Sequence, residues 1–254
     1  MTYNRKGDSE MKRFIAFFLC MLMLFAFAAC NKDEEAGNKT NNEPTQAEKN
    51  DAIVLPDVVK GSITFKDYGM VNFEIYPNLA RQSCLNFIYL VNSGHYNGVI
   101  VDRLVKDFVI QAGQYQSGFV PRNTEFEYTI KGEFEKNGVE NNLSFIKGTM
   151  AWVLKGDDMN SAHTEFAIYT DSTTCWDLQG KYAAFGMITG EDSFKVLKKI
   201  NKQKTYAERP SEEITITSVT LEPIAQEGFA KDFEFPEPNF IMVESKSDEA
   251  KKKD

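Results

Sequence analysis

Residues 101–113 read Val101-Asp102-Arg103-Leu104-Val105-Lys106-Asp107-Phe108-Val109-Ile110-Gln111-Ala112-Gly113. An arginine sits among apolar residues, and Phe-Val-Ile-Gln follows five positions later, ending in a turn of small residues. With 101–103 and 108–110 as short strand pieces, Arg103, Phe108 and Gln111 converge on one shallow surface. That surface joins a fixed charge, an aromatic wall and an amide. A guanidinium stays protonated and presents its donors in a rigid fork, so Arg103 can hydrogen-bond a peptide backbone without exchanging protons. The segment also fits a plain buried strand whose arginine snorkels to the edge.

The chain on either side supplies more strands than helices. Residues 61–75 alternate apolar and polar around Asp67-Tyr68-Gly69, a hairpin signature. Leu79, Leu85, Phe87, Ile88 and Val91 form a helical stripe, stopped at Asn92-Ser93-Gly94. Further strands are expected at 126–130, 148–154, 164–170, 182–188 and 214–221, with loops at 114–124, 155–163 and 171–180 and a helix at 191–201. This order predicts a mainly β fold: a closed eight-stranded antiparallel barrel with two capping helices. Closure also removes exposed sheet edges.

The 254 residues fall into four segments. Lys12 and Arg13 precede an uncharged run of 16 residues, 14–29, ending Phe27-Ala28-Ala29 before Cys30. A basic start, a short apolar stretch and small residues describe a secretory signal over 1–29. The run is short for a membrane-spanning helix. The small-small-Cys ending resembles a bacterial lipobox, which makes Cys30 the lipidated residue. An ordinary cleaved signal and an uncleaved anchor are the alternatives, and Met11 is an alternative start. Residues 30–53 form a polar tether, whose apolar residues after Cys30 are Ala36, Ala47, Ala52 and Ile53. Its polar stretch, 31–52, has a reach of roughly 25 Å. The folded domain is expected over 54–222, followed by a Phe-rich and then charged tail over 223–254, of which 229–243 is expected to pack on the barrel. This places the protein outside the cell, anchored to a bacterial membrane through lipid.

Losing 1–29 removes four basic residues (Arg5, Lys6, Lys12, Arg13) and two acidic ones (Asp8, Glu10), which leaves 25 basic against 35 acidic residues and a net charge of −10. That balance argues against nucleic acid, which is bound through clustered Lys and Arg. Cys84 and Cys175, 91 positions apart, are expected to be separate buried thiols.

Taken in order, the motifs resemble a cyclophilin, a peptidyl-prolyl cis/trans isomerase, over about residues 60–222. Asn86-Phe87 is similar to the first-helix Asn-Phe of that family, and Tyr96-Asn97-Gly98 before Asp102-Arg103 to its Tyr-(Asp/Asn)-Gly and Phe-His-Arg. Phe108-Val-Ile-Gln-Ala-Gly stands for Phe-Met-Ile-Gln-Gly-Gly, and Gly148-Thr-Met-Ala for a strand ending Met-Ala. Thr164-Glu-Phe-Ala-Ile stands for Ser-Gln-Phe-Phe-Ile, and Leu178-Gln-Gly-Lys-Tyr-Ala-Ala-Phe-Gly for Leu-Asp-Gly-Lys-(His/Tyr)-x-x-Phe-Gly. The resemblance implies Arg103 as catalytic arginine. It implies Phe108, Phe166 and Leu178 lining a proline pocket above Met150, Gln111 and the Ala151-Trp152 backbone holding the peptide, and Tyr182 at the rim. Asp102 stands for His, Val109 for a pocket Met, Trp152 for an Asn, Glu165 for Gln and Ala167 for a pocket Phe. These departures imply a wider, less apolar pocket.

The implied activity is prolyl isomerisation of unfolded or exported Pro-containing polypeptides by a monomer, without cofactor or metal. The rival reading is a catalytically weak or inactive module of the same fold that binds Pro-containing segments. Only two histidines, His95 and His163, are available for a metal site or triad, and both read as loop residues.

Overall fold

The computed structural model describes residues 54–122 and 128–223. The expected signal, tether, Cys30 and nearly all of the tail lie outside them, as do 126 and 127 of the strand expected at 126–130, whose described remainder, 128–130, forms no strand and makes only an isolated bridge from Ile130 to Ala162.

Strands β1 (Val59–Phe65) and β2 (Gly69–Ile75) form the expected hairpin. Then come α1 (Arg81–Asn92), β3 (Val99–Val105), β4 (Val109–Gln116), β5 (Val120–Pro121), β6 (Thr149–Trp152) and β7 (Phe166–Tyr169). They are followed by α2 (Ser172–Cys175), β8 (Ala184–Thr189), α3 (Glu191–Ile200), β9 (Thr205–Tyr206), β10 (Arg209–Pro210) and β11 (Ile216–Leu221). The main sheet runs β11-β1-β2-β8-β6-β7-β4-β3, antiparallel throughout. Its ends meet where Val101 N–H donates to Ile214 at 2.8 Å and Gly98 N–H to Ile216 at 2.8 Å. A single bridge, Ile100 with Thr215, joins them rather than a full ladder. The barrel is therefore nearly closed.

Two helices were expected, and among the described residues three α-helices are present. Asp171 accounts for the third, because its carboxylate accepts the Thr173 amide at 2.7 Å and caps α2 inside the expected 171–180 loop. The other helices close the barrel. In α3, Glu191 and Asp192 open the first turn and Lys198 and Lys199 the last, which matches the helix dipole. The N-terminus of α1 has no local side-chain cap. Glu133, buried and about 50 residues downstream, accepts the amides of Gln82 at 3.0 Å and Ser83 at 2.8 Å.

Phe87 of α1 is the hub of the core. Its ring meets Phe73 at 5.6 Å, Tyr96 at 5.3 Å, Phe166 at 5.7 Å and Phe185 at 5.2 Å, those to Phe73 and Phe166 edge-to-face. Trp152 stacks on Phe185 at 5.0 Å. Cys84 and Cys175 are free and buried, as expected. His95 lies in the turn after α1 but is buried, with Nε2 2.8 Å from the Gly113 carbonyl oxygen. Burial lowers its pKa to about 4.

Candidate active site

The register of five strands builds the site. Arg103 on β3 pairs with Gln111 on β4, Gln111 with Ala167 on β7, Ala167 with Ala151 on β6, and Ala151 with Ala184 on β8. Directly paired residues share a face of the sheet. One row therefore carries a guanidinium, an amide and three methyl groups. Arg103 Nη1 donates to Gln111 Oε1 at 3.2 Å, and Arg103 Nε donates to Glu208 Oε2 at 2.7 Å.

The alanine row is wholly buried beneath larger side chains. Val109, Phe145, Tyr169 and Cys175 pack with it, and half-buried Phe108, Leu143, Leu178 and Tyr182 cover it. Phe108 projects from the β3–β4 turn, where Asp107 takes φ 55°. Its ring lies 5.7 Å from that of Tyr169, and the Phe145 ring lies 5.3 Å from Tyr169. Arg103, Gln111, Phe108, Ala151, Leu178 and Tyr182 are thus placed on one outward face.

Three residues expected at the site lie on the other face: Phe166, expected to line the pocket, Met150, expected beneath it, and Trp152, expected to contribute backbone. Met150 pairs with Ile168 and Trp152 with Phe166, one step out of phase with the alanine row. Met150, Trp152 and Phe166 are all buried in the barrel core. Strand alternation is the reason, since a residue next to an outward alanine must point inward. Met150 therefore supports the sheet from within, beneath the face that carries the alanine row. The Trp152 amide is also committed to the Ala183 carbonyl at 3.1 Å, so it is not free to hold a peptide.

Sequence reasoning missed Tyr169 and Phe145. The signal for Tyr169 was present, because position 169 repeats the phase of Ala167 two residues on. The aromatic ring absent at Ala167 is supplied there, and the face is not emptied as the substitution alone implied. Glu208 was also missed, and only the fold brings it to Arg103.

Two carboxyls stand beside the arginine. Glu165 and Asp102 interact electrostatically there, and Asp102 Oδ1 is buried with no hydrogen-bond partner among the described residues. Burial, then the Asp102 charge, pushes the Glu165 carboxyl well above the usual range. Burial also raises Asp102, against the pull of Arg209 and Arg103. Next to Glu165 a cavity of about 80 Å³ is lined by Gln114, Val153, Lys155, Ser161, His163 and Thr164, among others.

A family described as "Cyclophilin type peptidyl-prolyl cis-trans isomerase/CLD" matches residues 61–221, which span the sheet and this face. The chain belongs to the cyclophilin family. The reaction class of that membership is peptidyl-prolyl cis-trans isomerisation, EC 5.2.1.8. The peptidyl-prolyl cis-trans isomerase cypE of Dictyostelium discoideum is 32% identical over 156 residues, covering 60% of this chain and 91% of that one. The cis-trans isomerase CYP23 of Arabidopsis thaliana is 31% identical over 173 residues, covering 64% and 72%. Among solved structures, a Cryptosporidium parvum cyclophilin superposes with a TM-score of 0.53 at 22% identity, covering 65% of this chain and 98% of that one. The cyclophilin fold is thus shared at low identity.

Proposed function

We propose that this cyclophilin isomerises Xaa-Pro bonds of exported, incompletely folded polypeptides at a membrane surface, held there as a monomer by lipid on Cys30. Arg103 acts as the catalytic arginine. The observation that carries this reading is the row Arg103-Gln111-Ala167-Ala151-Ala184 under the half-buried side chains of Phe108, Leu178 and Tyr182. A proline ring rests against those three side chains, and the guanidinium at the end of the row faces its amide.

Rotation about a peptide bond meets a barrier of about 18–20 kcal/mol from amide resonance. No nucleophile or base is required. As the bond twists, the prolyl nitrogen loses its conjugation and becomes a better acceptor. A donor fixed beside it then binds the twisted state more strongly than either planar isomer, and such differential binding is what accelerates a reaction. A barrier lower by about 7 kcal/mol corresponds to roughly 10⁵-fold.

The test is isomerisation of a panel of Xaa-Pro peptides by the full chain, beside its Arg103→Ala variant. Catalysis that collapses in the variant supports the reading. The complete burial of the alanine row favours a second reading, a weak or inactive module binding Pro-containing segments, because the ring then has only a shallow seat. Peptide binding without turnover by folded wild-type protein would establish it. For the anchor, labelled fatty acid incorporated by the wild type and by a Cys30→Ala variant decides the assignment.

A further inference from the structure

The geometry points to Glu208 as a positioning residue for Arg103, one that holds the guanidinium by Nε and leaves Nη2 as the donor aimed at substrate. The inference rests on the assignment of Arg103 as the catalytic arginine. Glu208 lies in the two-residue turn between β9 and β10, where Ala207 has φ 49° and Glu208 φ 63°. A turn with both central residues left-handed favours Asn-Gly or Asp-Gly. Ala-Glu is a poor choice for the backbone, since neither residue relieves the strain of positive φ. Local turn chemistry does not account for a glutamate there. Its side chain does.

Glu208 Oε2 accepts from Arg103 Nε at 2.7 Å. The turn itself is docked, because the Leu104 amide donates to the Glu208 carbonyl at 2.7 Å, one residue from Arg103 along β3. On the other side of the turn, the Arg209 guanidinium lies 4.4 Å from the centre of the Phe119 ring. The carboxylate is therefore presented from a fixed backbone. With Nε on Glu208 and Nη1 on Gln111, the plane of the guanidinium is set by two contacts from opposite sides. Among the described residues, Nη2 has no hydrogen-bond or ion-pair partner.

The pair contributes little to folding. The Arg103 and Glu208 side chains are 35% and 55% exposed, and exposed pairs are screened by water and salt. Its effect falls instead on a long side chain that would otherwise sample several rotamers. Fixing such a group before reaction favours the transition state over the bound ground state.

The experiment compares Glu208→Gln, Glu208→Ala and Glu208→Gly in the full chain, each alone and with Arg103→Ala. If Glu208 positions the arginine, Glu208→Ala and Glu208→Gly lower kcat about 10-fold with KM within about two-fold. Glu208→Gln keeps most of the activity, because an amide oxygen still accepts from Nε. In the Arg103→Ala background the same changes have no further effect. Glycine relaxes the strained turn, so the unfolding midpoint of Glu208→Gly is not lowered while its kcat is. The Arg103 Nε–H resonance of the free protein, protected from exchange in the wild type, exchanges faster in the alanine variant. Wild-type activity in all three variants, or a loss that persists without Arg103, overturns the inference and leaves the isomerase reading standing. An inactive wild type with a protected Nε–H overturns the isomerase reading and leaves the contact standing.

Discussion

The two faces of β6 and β7 are built on opposite plans. Inward, Met150, Trp152, Phe166 and Ile168 fill the barrel around Phe87. Outward, Ala151 and Ala167 carry single methyl groups, and the bulk above them comes from Phe108 and Tyr182 on turns and from Leu178 at the end of a short 3-10 helix, Trp176–Leu178. A change of one position along the strand moves a residue from structural core to candidate binding surface. Stability and recognition are therefore separable in this sheet at the resolution of a single residue.

The sharpest way to break that contrast is a pair of truncations. Phe166→Ala removes a fully buried ring from the core and is expected to cost about 3–5 kcal/mol. Phe108→Ala, on the covering side, is expected to cost about 1 kcal/mol, since only part of its surface is buried. Urea midpoints of the two variants measure the difference, and equal losses would refute the division. Arg103→Ala should invert the pattern, with kcat/KM lower by about 100-fold, or ~2.7 kcal/mol, and unfolding free energy within about 1 kcal/mol of wild type.

A smaller effect is a dependence of stability on pH. The folded pKa of Glu165 is raised from 4.5 to about 8 and that of Asp102 from 3.8 to about 6. The folded state therefore binds more protons than the unfolded chain across this window. The stability these groups contribute is fully present below about pH 4 and is lost as pH rises through 8. The loss is read as a denaturation midpoint lower at pH 9 than at pH 5. Glu165→Gln should flatten the slope, whereas Glu208→Gln, on the exposed side of Arg103, should leave it intact. The smallest effect concerns α1, which closes the inward compartment. Glu133→Ala leaves the Gln82 and Ser83 amides without their acceptor and should cost about 1 kcal/mol, with kcat of the folded protein unchanged.

Much of this architecture was legible in the sequence. The hairpin at Asp67-Tyr68-Gly69, the stripe through Phe87 and the strand order follow from periodicity and turn residues, which are local signals. So was the meeting of Arg103 with Gln111, because a tight turn at Lys106-Asp107 imposes their pairing. Phase was lost where motif similarity replaced counting. Phe166 looked like a pocket aromatic until the pairing of Gln111 with Ala167 put it on the inward side. The contacts of Glu208 with Arg103 and of Glu133 with α1 join residues 105 and about 50 positions apart. No local pattern encodes such distances; only the closed path of the sheet does. Signal, lipid site and tether are readings of composition, and they lie outside the described residues.

The pairing of the first and last strands reaches beyond the active face. Gly61 of β1 stands opposite Leu221 of β11, and the Glu222 amide reaches the Lys60 carbonyl at 2.8 Å. The two ends of the domain thus emerge side by side, one strand spacing apart. A short linker could join them and new ends could be opened in a surface loop, giving a circular permutant with every pairing of the barrel preserved.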